Sequence, residues 1–306
     1  MKFSKIILLA STCAVISAAT PATPTIDPAS TIFVFGTVDD GAGKNFRTTG
    51  DILATNSELL PSLVGVANLH ASGSAQFSPA RLKQILTLLH GPVTVIDLRQ
   101  EEHIFVNGQP VNVQPEYWNK ISAFHDAIIN DENSQAKRLA PGMSLAVLDK
   151  QALKRGSGAA PTTLIISQAI TEREIVTADG ANYVRITVKD GGLPTDEEMD
   201  RFILSVRQLP PDGWVHFHCQ AGHGRTTRFL AFYDMLRNAK QVSLHDILLR
   251  QSLLVGEPDL LLSDKARNGV ESRVSYFKKF YEYSQANPGG QPELWTDWLK
   301  KKSSQL

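Results

Sequence analysis

The stretch that decides the fold is His218–Thr227, HCQAGHGRTT, which continues from a short apolar run, Trp214–His218 (WVHFH). An apolar run that leads into a glycine-rich segment predicts a buried strand, a tight loop and the start of a helix. Such a loop aims several backbone N–H groups at one point, with the positive end of the helix behind them. The stretch therefore predicts an anion site at the carboxyl end of a strand.

A cysteine, Cys219, lies where this strand should end. Gly222 and Gly224 permit the left-handed backbone that turns N–H groups inward, and Arg225 offers a planar fork to two anion oxygens. The positive field that holds a phosphate also favours thiolate over thiol, so we predict a Cys219 pKa below the ordinary value of about 8.5. Cys219 is then a nucleophile, and the alternative is a buried structural cysteine. The other predicted loop residues are Gln220, Ala221, His223 and Thr226.

The composition leaves room for a large core and gives no sign of a polyanionic partner. The chain has 306 residues, of which 42% are hydrophobic, enough for one domain that carries a smaller one. Its 31 basic and 31 acidic residues balance, so neither nucleic acid nor a membrane surface is indicated, and an anionic substrate would need local clusters of Lys and Arg. Neither HExxH nor paired CxxC spacing occurs, so we expect no metal and no cofactor.

The N-terminus is typical of a secretory signal peptide. Lys2 and Lys5 precede an apolar run, Ile6–Ile16, and small residues at Ser17 and Ala19 predict cleavage after Ala19. The run is too short for a membrane span. We therefore expect export to the periplasm or the medium, and a mature chain without a stable membrane span.

Removal of residues 1–19 changes both the charge and the cysteine count. Loss of Lys2 and Lys5 leaves 29 of the 31 basic residues against 31 acidic ones, a net charge of −2. Cys13 is lost as well, or acylated in the weaker lipoprotein alternative. Cys219 is then the single cysteine of the mature chain, and it is either buried and inert or kept for its reactivity.

Short apolar runs alternate with amphipathic segments, which predicts an α/β fold with a largely parallel central sheet flanked by helices. The predicted strands are Thr31–Gly36, Pro92–Leu98, Tyr183–Val188 and Trp214–His218. The predicted helices are Ser78–Gly91, Pro194–Leu209, one from the glycine-rich loop through Leu236, and two within 243–254 and 270–285.

Residues 104–179 have a different pattern, with short β-like runs, Asn-Gly and Pro-Gly turns and one helical piece near Tyr117–Asn130. We interpret them as a small β-rich insertion. The predicted organisation is a signal peptide (1–19), an extended segment with the first strand (20–40), a core (41–103 and 180–290), the insertion (104–179) and a C-terminal tail (291–306).

The chain resembles the protein-tyrosine-phosphatase-like inositol polyphosphate phosphatases, the cysteine phytases. The resemblance lies in the HC-x5-R pattern of His218–Thr227, in VIDLRQEEHIFVNGQPV (Val95–Val111), which is similar to the family block DLRxExHxFxNG, and in NFRTTGD (Asn45–Asp51). It extends from about Asn45 to about Ser284. It implies a cysteine-phosphatase core with a small partial-barrel domain, and phosphomonoester hydrolysis through a phosphocysteine.

Asp190, in VKDGGLP (Val188–Pro194), is the candidate general acid, because an alkoxide leaving group needs a proton. It follows a predicted strand on a glycine-containing loop, where a turn aspartate is the alternative. The resemblance implies the acid role, since the family uses an aspartate followed by a proline-containing loop. The family often has His and Trp where this chain has Gly191 and Leu193. His223 is a candidate to replace that His in part, and a packing role is the alternative.

Other acidic residues follow Asp190 closely. They lie in the first turn of a predicted helix, where acidic side chains favour the helix dipole, so we expect them to be structural. These residues are Asp196, Glu197 and Glu198.

A polyphosphorylated ring would need more basic residues around the loop. Arg47, in the NFRTTGD block, is the first candidate for substrate binding and Lys189 the second, although either could be a solvated surface residue. The weaker candidates are Lys44 and Arg228, with Lys265, Arg267 and Arg273 unranked. We expect His218 to orient the loop. Asp97, Arg99 and Glu101 form either an ion-pair network that supports the site or a plain surface network.

The sequence thus predicts an exported enzyme that hydrolyses inositol polyphosphates, with this small molecule as its partner and without nucleic acid. One alternative is a protein-tyrosine or phosphoinositide phosphatase, including one delivered to a host cell. A more distant alternative is an inactive module that binds inositol phosphates.

Overall fold

The computed structural model describes residues 33–36, 44–54, 61–113, 124–149, 160–262 and 272–304. The predicted signal peptide, Cys13, Lys265 and Arg267 lie outside the described residues.

The described part of the chain contains strands that alternate with single helices around the central sheet, two runs of three consecutive strands, and a series of helices after the last strand. The strands are β1 (Phe33–Phe35), β2 (Arg47–Thr48), β3 (Ala71–Ala75), β4 (Val93–Arg99), β5 (His103–Val106), β6 (Gln109–Val113), β7 (Ser144–Leu148), β8 (Thr162–Ile165), β9 (Ala169–Ile170), β10 (Asn182–Val188) and β11 (Trp214–Cys219). The helices are α1 (Pro79–Leu88), α2 (His125–Arg138), α3 (Glu172–Ala178), α4 (Asp196–Arg207), α5 (Gly224–Asn238), α6 (Leu244–Leu253), α7 (Arg273–Ala286) and α8 (Trp295–Ser303).

The central sheet has the strand order β10-β4-β11-β3-β2. β10, β4, β11 and β3 are parallel, and β2 is antiparallel to β3 at the edge. The predicted α/β class with a largely parallel sheet and flanking helices is therefore confirmed. Because parallel strands end at the same edge, the segments that follow β4, β10 and β11 meet there. In this register, His218 lies opposite Asp97, and Cys219 lies opposite Ala75.

The central sheet lies between two apolar layers. On one face, Phe217 of β11 packs with Phe202 of α4 and Phe229 of α5. On the other face, Val95 of β4 belongs to a cluster with residues of α1 and α3, among them Ile85. Both faces are covered, which explains why the predicted strands are continuous apolar runs.

β3 (ASGSA) was not predicted from the sequence because it contains no β-branched or aromatic residue. The small residues allow α5 to approach closely. A Cβ atom added to Gly73 would lie 2.6 Å from Thr226 Cγ2 and 3.2 Å from Leu230 Cδ1. The residues of β3 thus have to be small so that α5 can pack onto this strand.

A second sheet has the order β8-β7-β1-β6-β5-β9. The residues predicted to be β-rich supply β5 to β9, and β1 pairs with β6 and β7 in the same sheet. Phe33, Val106 and Val147 belong to its apolar core. The closure of this sheet into a partial barrel, and the domain boundaries, stay predictions.

Three helices differ from the sequence prediction. α2 continues to Arg138, beyond the predicted end at Asn130, and residues 114–123 lie outside the described part of the chain. α3 was not predicted, although Thr171 and Glu174 form a capping box at its start.

The segment predicted as a C-terminal tail contains α8, whose Trp295 is buried and donates from Nε1 to Asp196 Oδ1 at 2.7 Å. In the described ranges, no helix combines the length and the apolar character needed to cross a bilayer.

Candidate active site

The His218–Thr227 stretch forms the strand, loop and helix that its pattern predicts. β11 ends at Cys219 and α5 begins at Gly224. Gly222 has a φ of 68°, in the left-handed region, and a Cβ atom there would lie 2.2 Å from the Ala75 backbone nitrogen. Both its backbone conformation and its contact with β3 therefore require glycine at this position.

Loop carbonyl groups accept hydrogen bonds from Arg47 of β2 and from Asn45 just before it. Ala221 O accepts from Asn45 Nδ2 at 2.8 Å, and Gly222 O accepts from Arg47 Nη1 at 2.8 Å. In a trans peptide the N–H points opposite to the C=O. The N–H groups of Gly222 and His223, which follow these carbonyls, therefore point away from Asn45 and Arg47, as the predicted anion site requires.

Cys219 is buried, and the Thr226 hydroxyl donates to its Sγ at 3.2 Å. Burial opposes ionisation of the thiol, but the charge of Arg225 and hydrogen bonds from Thr226 outweigh it, so the Cys219 pKa lies below its ordinary value. A thiolate is the reactive form of cysteine. The surroundings thus favour the nucleophilic role over the inert one.

Arg225 is held by a carboxylate at one end of its guanidinium. Nη1 donates to Glu101 Oε2 at 2.6 Å and Nη2 to Glu101 Oε1 at 2.7 Å, and Nη1 also donates to Val188 O at 2.9 Å. Burial opposes the charge, but Glu101 raises the Arg225 pKa well above its ordinary value. The buried Nε has no hydrogen-bond partner within the described residues. An oxyanion at the loop would satisfy this donor.

Asp97, Arg99 and Glu101 form a buried network, so the alternative of a plain surface network is wrong. Asp97 and Arg99 are 0% exposed and Glu101 is 2% exposed. Arg99 Nε donates to Glu101 Oε1 at 3.0 Å, and Asp97 Oδ2 lies 2.8 Å from Arg185 Nη1. The network therefore links Glu101, and through it Arg225, to strands β4 and β10 of the central sheet.

His218 lies below the loop, on the face of the sheet opposite α5. Its Nε2 is 2.6 Å from Glu172 Oε1, in the first turn of α3, and its ring packs on Phe77 with centroids 4.8 Å apart. This position fits the predicted role of orienting the loop. Sequence reasoning missed Glu172, and the only local signal was the capping box that starts α3.

Asp97, Glu172 and His218 place donor atoms within 4.8 Å of one another. These carboxylates already pair with cations, because Arg185 lies 2.8 Å from Asp97 and His103 Nε2 lies 3.1 Å from Glu172 Oε2. This balance of charge favours an ion-pair network over a metal site.

Asp190 lies two residues after the end of β10, and its side chain is 64% exposed. Its Oδ1 is 3.3 Å from Arg225 Nη2, so the structure brings the candidate acid to the same loop as the candidate nucleophile. The neighbouring carboxylates have other partners, since Asp196 accepts from Trp295 and Glu198 accepts from Thr187 N at 2.8 Å. Glu197 is exposed in the first turn of α4.

Arg47 lies behind the loop. It is 3% exposed, and besides Gly222 O it donates from Nη2 to Thr227 Oγ1 at 2.9 Å. Burial lowers the Arg47 pKa to about 10, partly offset by Cys219. These contacts make Arg47 a support of the loop, while a contact with substrate stays a prediction.

The other basic candidates lie at different depths. Lys189 and Lys44 are exposed, and His223 Nε2 is 2.9 Å from Glu257 Oε1. Arg228 is buried and donates to a backbone carbonyl in the first turn of α5 and to one in the segment after Asp190. Contacts of Lys189 and His223 with a phosphate stay predictions.

This fold and this loop define the class of phosphatases built on an HC-x5-R motif. The family model of the PTP-like phytases, whose description reads "inositol hexakisphosphate", matches residues 96–237. A solved PTP-like phytase from Bdellovibrio bacteriovorus is 32% identical, with a TM-score of 0.68 over 88% of this chain and 95% of that one. The chain belongs to the PTP-like phytase family.

Two further relatives are longer than this chain. The tandemly repeated PTP-like phytase from Mitsuokella multacida is 32% identical, with a TM-score of 0.73 over 88% of this chain and 49% of that one. Effector protein hopD2 from Pseudomonas syringae pv. tomato is 30% identical over 265 residues, which are 84% of this chain and 56% of hopD2. The chain thus spans about half the length of each.

Proposed function

We propose that this phosphatase hydrolyses inositol polyphosphates, including phytate, through a phosphocysteine intermediate. The observation that carries the proposal is the arrangement around one loop of a thiol with a lowered pKa, an arginine with a free Nε, and an exposed carboxylate 3.3 Å from that arginine. These are the nucleophile, the anion holder and the acid that a phosphomonoester requires.

In the first step, the Cys219 thiolate attacks phosphorus and the bond from phosphorus to the inositol oxygen breaks. Arg225 and the loop N–H groups hold the three remaining phosphate oxygens, where charge develops. Asp190 donates its proton to the leaving oxygen, which departs as a hydroxyl group.

In the second step, water attacks the phosphocysteine and the sulfur–phosphorus bond breaks. Asp190, now ionised, takes a proton from the water, and inorganic phosphate leaves. The Thr226 hydroxyl, 3.2 Å from Sγ, stabilises the returning thiolate. Apart from the attacking water, both steps use only protein groups, so the proposal includes no metal or cofactor.

The choice of an inositol ring rests on the relatives. The Mitsuokella multacida PTP-like myo-inositol phosphatase was solved in complex with myo-inositol-(1,3,4,5)-tetrakisphosphate. Lys189, which is exposed and adjacent to the proposed acid, is the proposed contact for a second phosphate of such a ring. Arg47 is the other proposed substrate contact, and its burial behind the loop makes it the weaker of the two.

A second candidate function is a phosphatase for phosphotyrosine or phosphoinositides. The 30% identity to a protein named effector protein hopD2 supports the form of this alternative in which the phosphatase is an effector delivered to a host cell. We also propose that the protein is exported, on the pattern of residues 1–19. Relative kcat/KM values on inositol hexakisphosphate and on a phosphotyrosyl peptide separate the two functions, because each predicts a preference for its own substrate.

The test of the mechanism is phosphate release from inositol hexakisphosphate by the wild type and by Cys219→Ser, each with and without a chelator. We expect the serine variant to lose at least about 10³-fold in kcat, because a serine hydroxyl at this site is not ionised, and we expect the chelator to change nothing. Substantial activity in the serine variant, or wild-type activity abolished by the chelator, would contradict the mechanism.

A further inference from the structure

Arg228 joins two segments that are far apart in sequence. Its Nε donates to Gly224 O, at the start of α5, at 3.0 Å, and its Nη1 donates to Gly192 O. Gly192 lies two residues after Asp190. One guanidinium thus binds both the segment that carries the candidate acid and the helix that carries Arg225.

The segment around Asp190 needs such a contact. Asp190 is exposed, Gly191 has a φ of 71°, and the adjacent Gly192 turns back to Lys189 O with a hydrogen bond of 2.9 Å. Two glycines in succession give the free chain many conformations, so holding them in one costs entropy. Leu193 packs against the core, and Val188 ends β10. The Gly192 carbonyl lies between these two anchors, next to Leu193, and Arg228 binds it there.

Burying Arg228 is expensive. It is 4% exposed, and its two hydrogen bonds go to backbone carbonyls, not to a carboxylate. Burial, with Arg273 and Arg225 nearby, lowers the Arg228 pKa to about 10, and the Cys219 thiolate and Asp190 offset part of this effect. An arginine on a helix can extend to solvent with its charge hydrated. Its burial here, beside two other cations, therefore requires a compensating gain.

We propose that Arg228 is a positioning residue for the general acid. Its planar fork fixes the acid-bearing turn against the first turn of α5, so that the Asp190 carboxyl stays beside Arg225 and faces the oxygen that leaves. The proposal rests on the proposed function, because it requires Asp190 to be the acid. A lysine could bind one of the two carbonyls but could not bind both in one plane.

The test uses aryl phosphates whose leaving groups differ in their need for a proton. p-Nitrophenolate leaves readily as an anion, whereas phenolate needs protonation. The wild type is compared with Arg228→Gln and Arg228→Lys. Asp190→Asn serves as the reference for loss of the acid.

We expect Arg228→Gln to lower kcat/KM about tenfold on phenyl phosphate and less than about twofold on p-nitrophenyl phosphate, since a misplaced acid matters only where a proton is needed. For Arg228→Lys, the kcat/KM on phenyl phosphate should lie between that of Arg228→Gln and that of the wild type. Asp190→Asn should lose kcat/KM on phenyl phosphate, relative to p-nitrophenyl phosphate, by a larger factor than Arg228→Gln.

The matched control is Arg207→Gln. Arg207 also donates to backbone carbonyls, Gly290 O at 2.8 Å and Glu293 O at 2.9 Å, and it lies on α4. We expect Arg207→Gln to lower Tm without changing the ratio of kcat/KM on phenyl phosphate to kcat/KM on p-nitrophenyl phosphate. Arg228→Gln should change this ratio whatever its Tm.

Each outcome bears on one claim. An equal loss on both phosphates in Arg228→Gln and in Arg228→Lys would overturn the positioning role and assign Arg228 to phosphate binding. If Arg228→Gln does not fold, Arg228→Lys, which keeps the charge, decides by the same ratio. If Asp190→Asn shows no dependence on the leaving group, the acid in the proposed function fails. If Asp190→Asn shows the dependence and the Arg228 variants do not, only the positioning role fails.

Discussion

Glu101 determines which edge of Arg225 faces an anion. It accepts from both terminal nitrogens of the guanidinium, at 2.6 and 2.7 Å, and Arg99 holds its Oε1 from the other side at 3.0 Å. Because the guanidinium is planar, fixing one end fixes the direction of the remaining N–H groups. The other edge carries Nε, which has no hydrogen-bond partner among the described residues, and Nη2, which lies 3.3 Å from Asp190 Oδ1. A buried carboxylate thus fixes the orientation of Arg225 at the proposed phosphate site.

Glu101→Gln should separate the orientation of Arg225 from the reactivity of the thiol. We expect kcat to fall by about 10²-fold, because Arg225 loses its charged anchor at a site where one misplaced donor costs this much. The charge of Glu101 raises the Cys219 pKa, so its removal should shift thiol alkylation by iodoacetamide to lower pH. The pH dependence of the alkylation rate measures this shift. Asp297→Asn, an exposed carboxylate on α8, is the control, and an unchanged or higher alkylation pH in Glu101→Gln would refute this account.

At the scale of elements, the loop depends on how closely β3, β11 and α5 approach one another. β11 alternates its side chains, so Phe217 and Cys219 pack with α4 and α5, whereas His216 and His218 face the other layer. Ser72 Oγ lies 2.9 Å from His216 Nδ1, and Ser74 Oγ lies 3.1 Å from His216 Nε2. The two serines of β3 therefore satisfy a buried histidine on one face of the strand, and Gly73 leaves room for Thr226 on the other.

Gly73→Ala tests this close approach. The new Cβ would lie 2.6 Å from Thr226 Cγ2, so we expect a loss of about 1–3 kcal/mol in the free energy of unfolding. Adding Thr226→Ser removes that methyl group and keeps the hydroxyl that bonds Cys219, so the double variant should regain part of the loss. Urea unfolding measures both. Gly50→Ala, where a Cβ would meet only Thr48 Oγ1 at 3.4 Å, should stay within about 0.5 kcal/mol of the wild type, and a double variant no more stable than Gly73→Ala would contradict the steric explanation.

At the scale of the whole molecule, the sequence predicted what depends on local pattern. HCQAGHGRTT predicted its own strand, loop and helix, and the apolar runs around 92–98 and 183–188 predicted two more strands of the central sheet. The sequence could not predict β3, because its residues are small on account of a tertiary contact with Thr226. It also could not predict that Arg99 and Glu101 are buried. Likewise, the contact of Arg228 with Gly192, 36 residues earlier in the chain, depends on how α5 packs beside the segment after β10. Side chains that act through distant neighbours leave no periodic signal.

The junction between the two sheets carries a carboxyl group that should make the stability of the whole molecule depend on pH. Glu102 follows β4, accepts from Gln135 Nε2 of α2, and is 1% exposed. Burial, with Asp131 and Glu132 nearby, raises the Glu102 pKa to about 8. In the unfolded chain it is about 4.3, so between these values the folded state binds more protons. The stability that the protonated Glu102 contributes is fully present below about pH 4.3 and is lost as the pH rises through about 8.

We therefore expect the wild-type Tm to fall between about pH 6 and about pH 9 by more than the Tm of Glu102→Gln, which keeps a hydrogen-bonding partner for Gln135 but does not titrate. Differential scanning calorimetry at both pH values measures the difference. Glu197→Gln, an exposed carboxyl in the first turn of α4, should keep the wild-type pH dependence. The same pH dependence in Glu102→Gln as in the wild type would show that Glu102 is already ionised at neutral pH, because a buried carboxyl that stays protonated must release its proton as the pH rises.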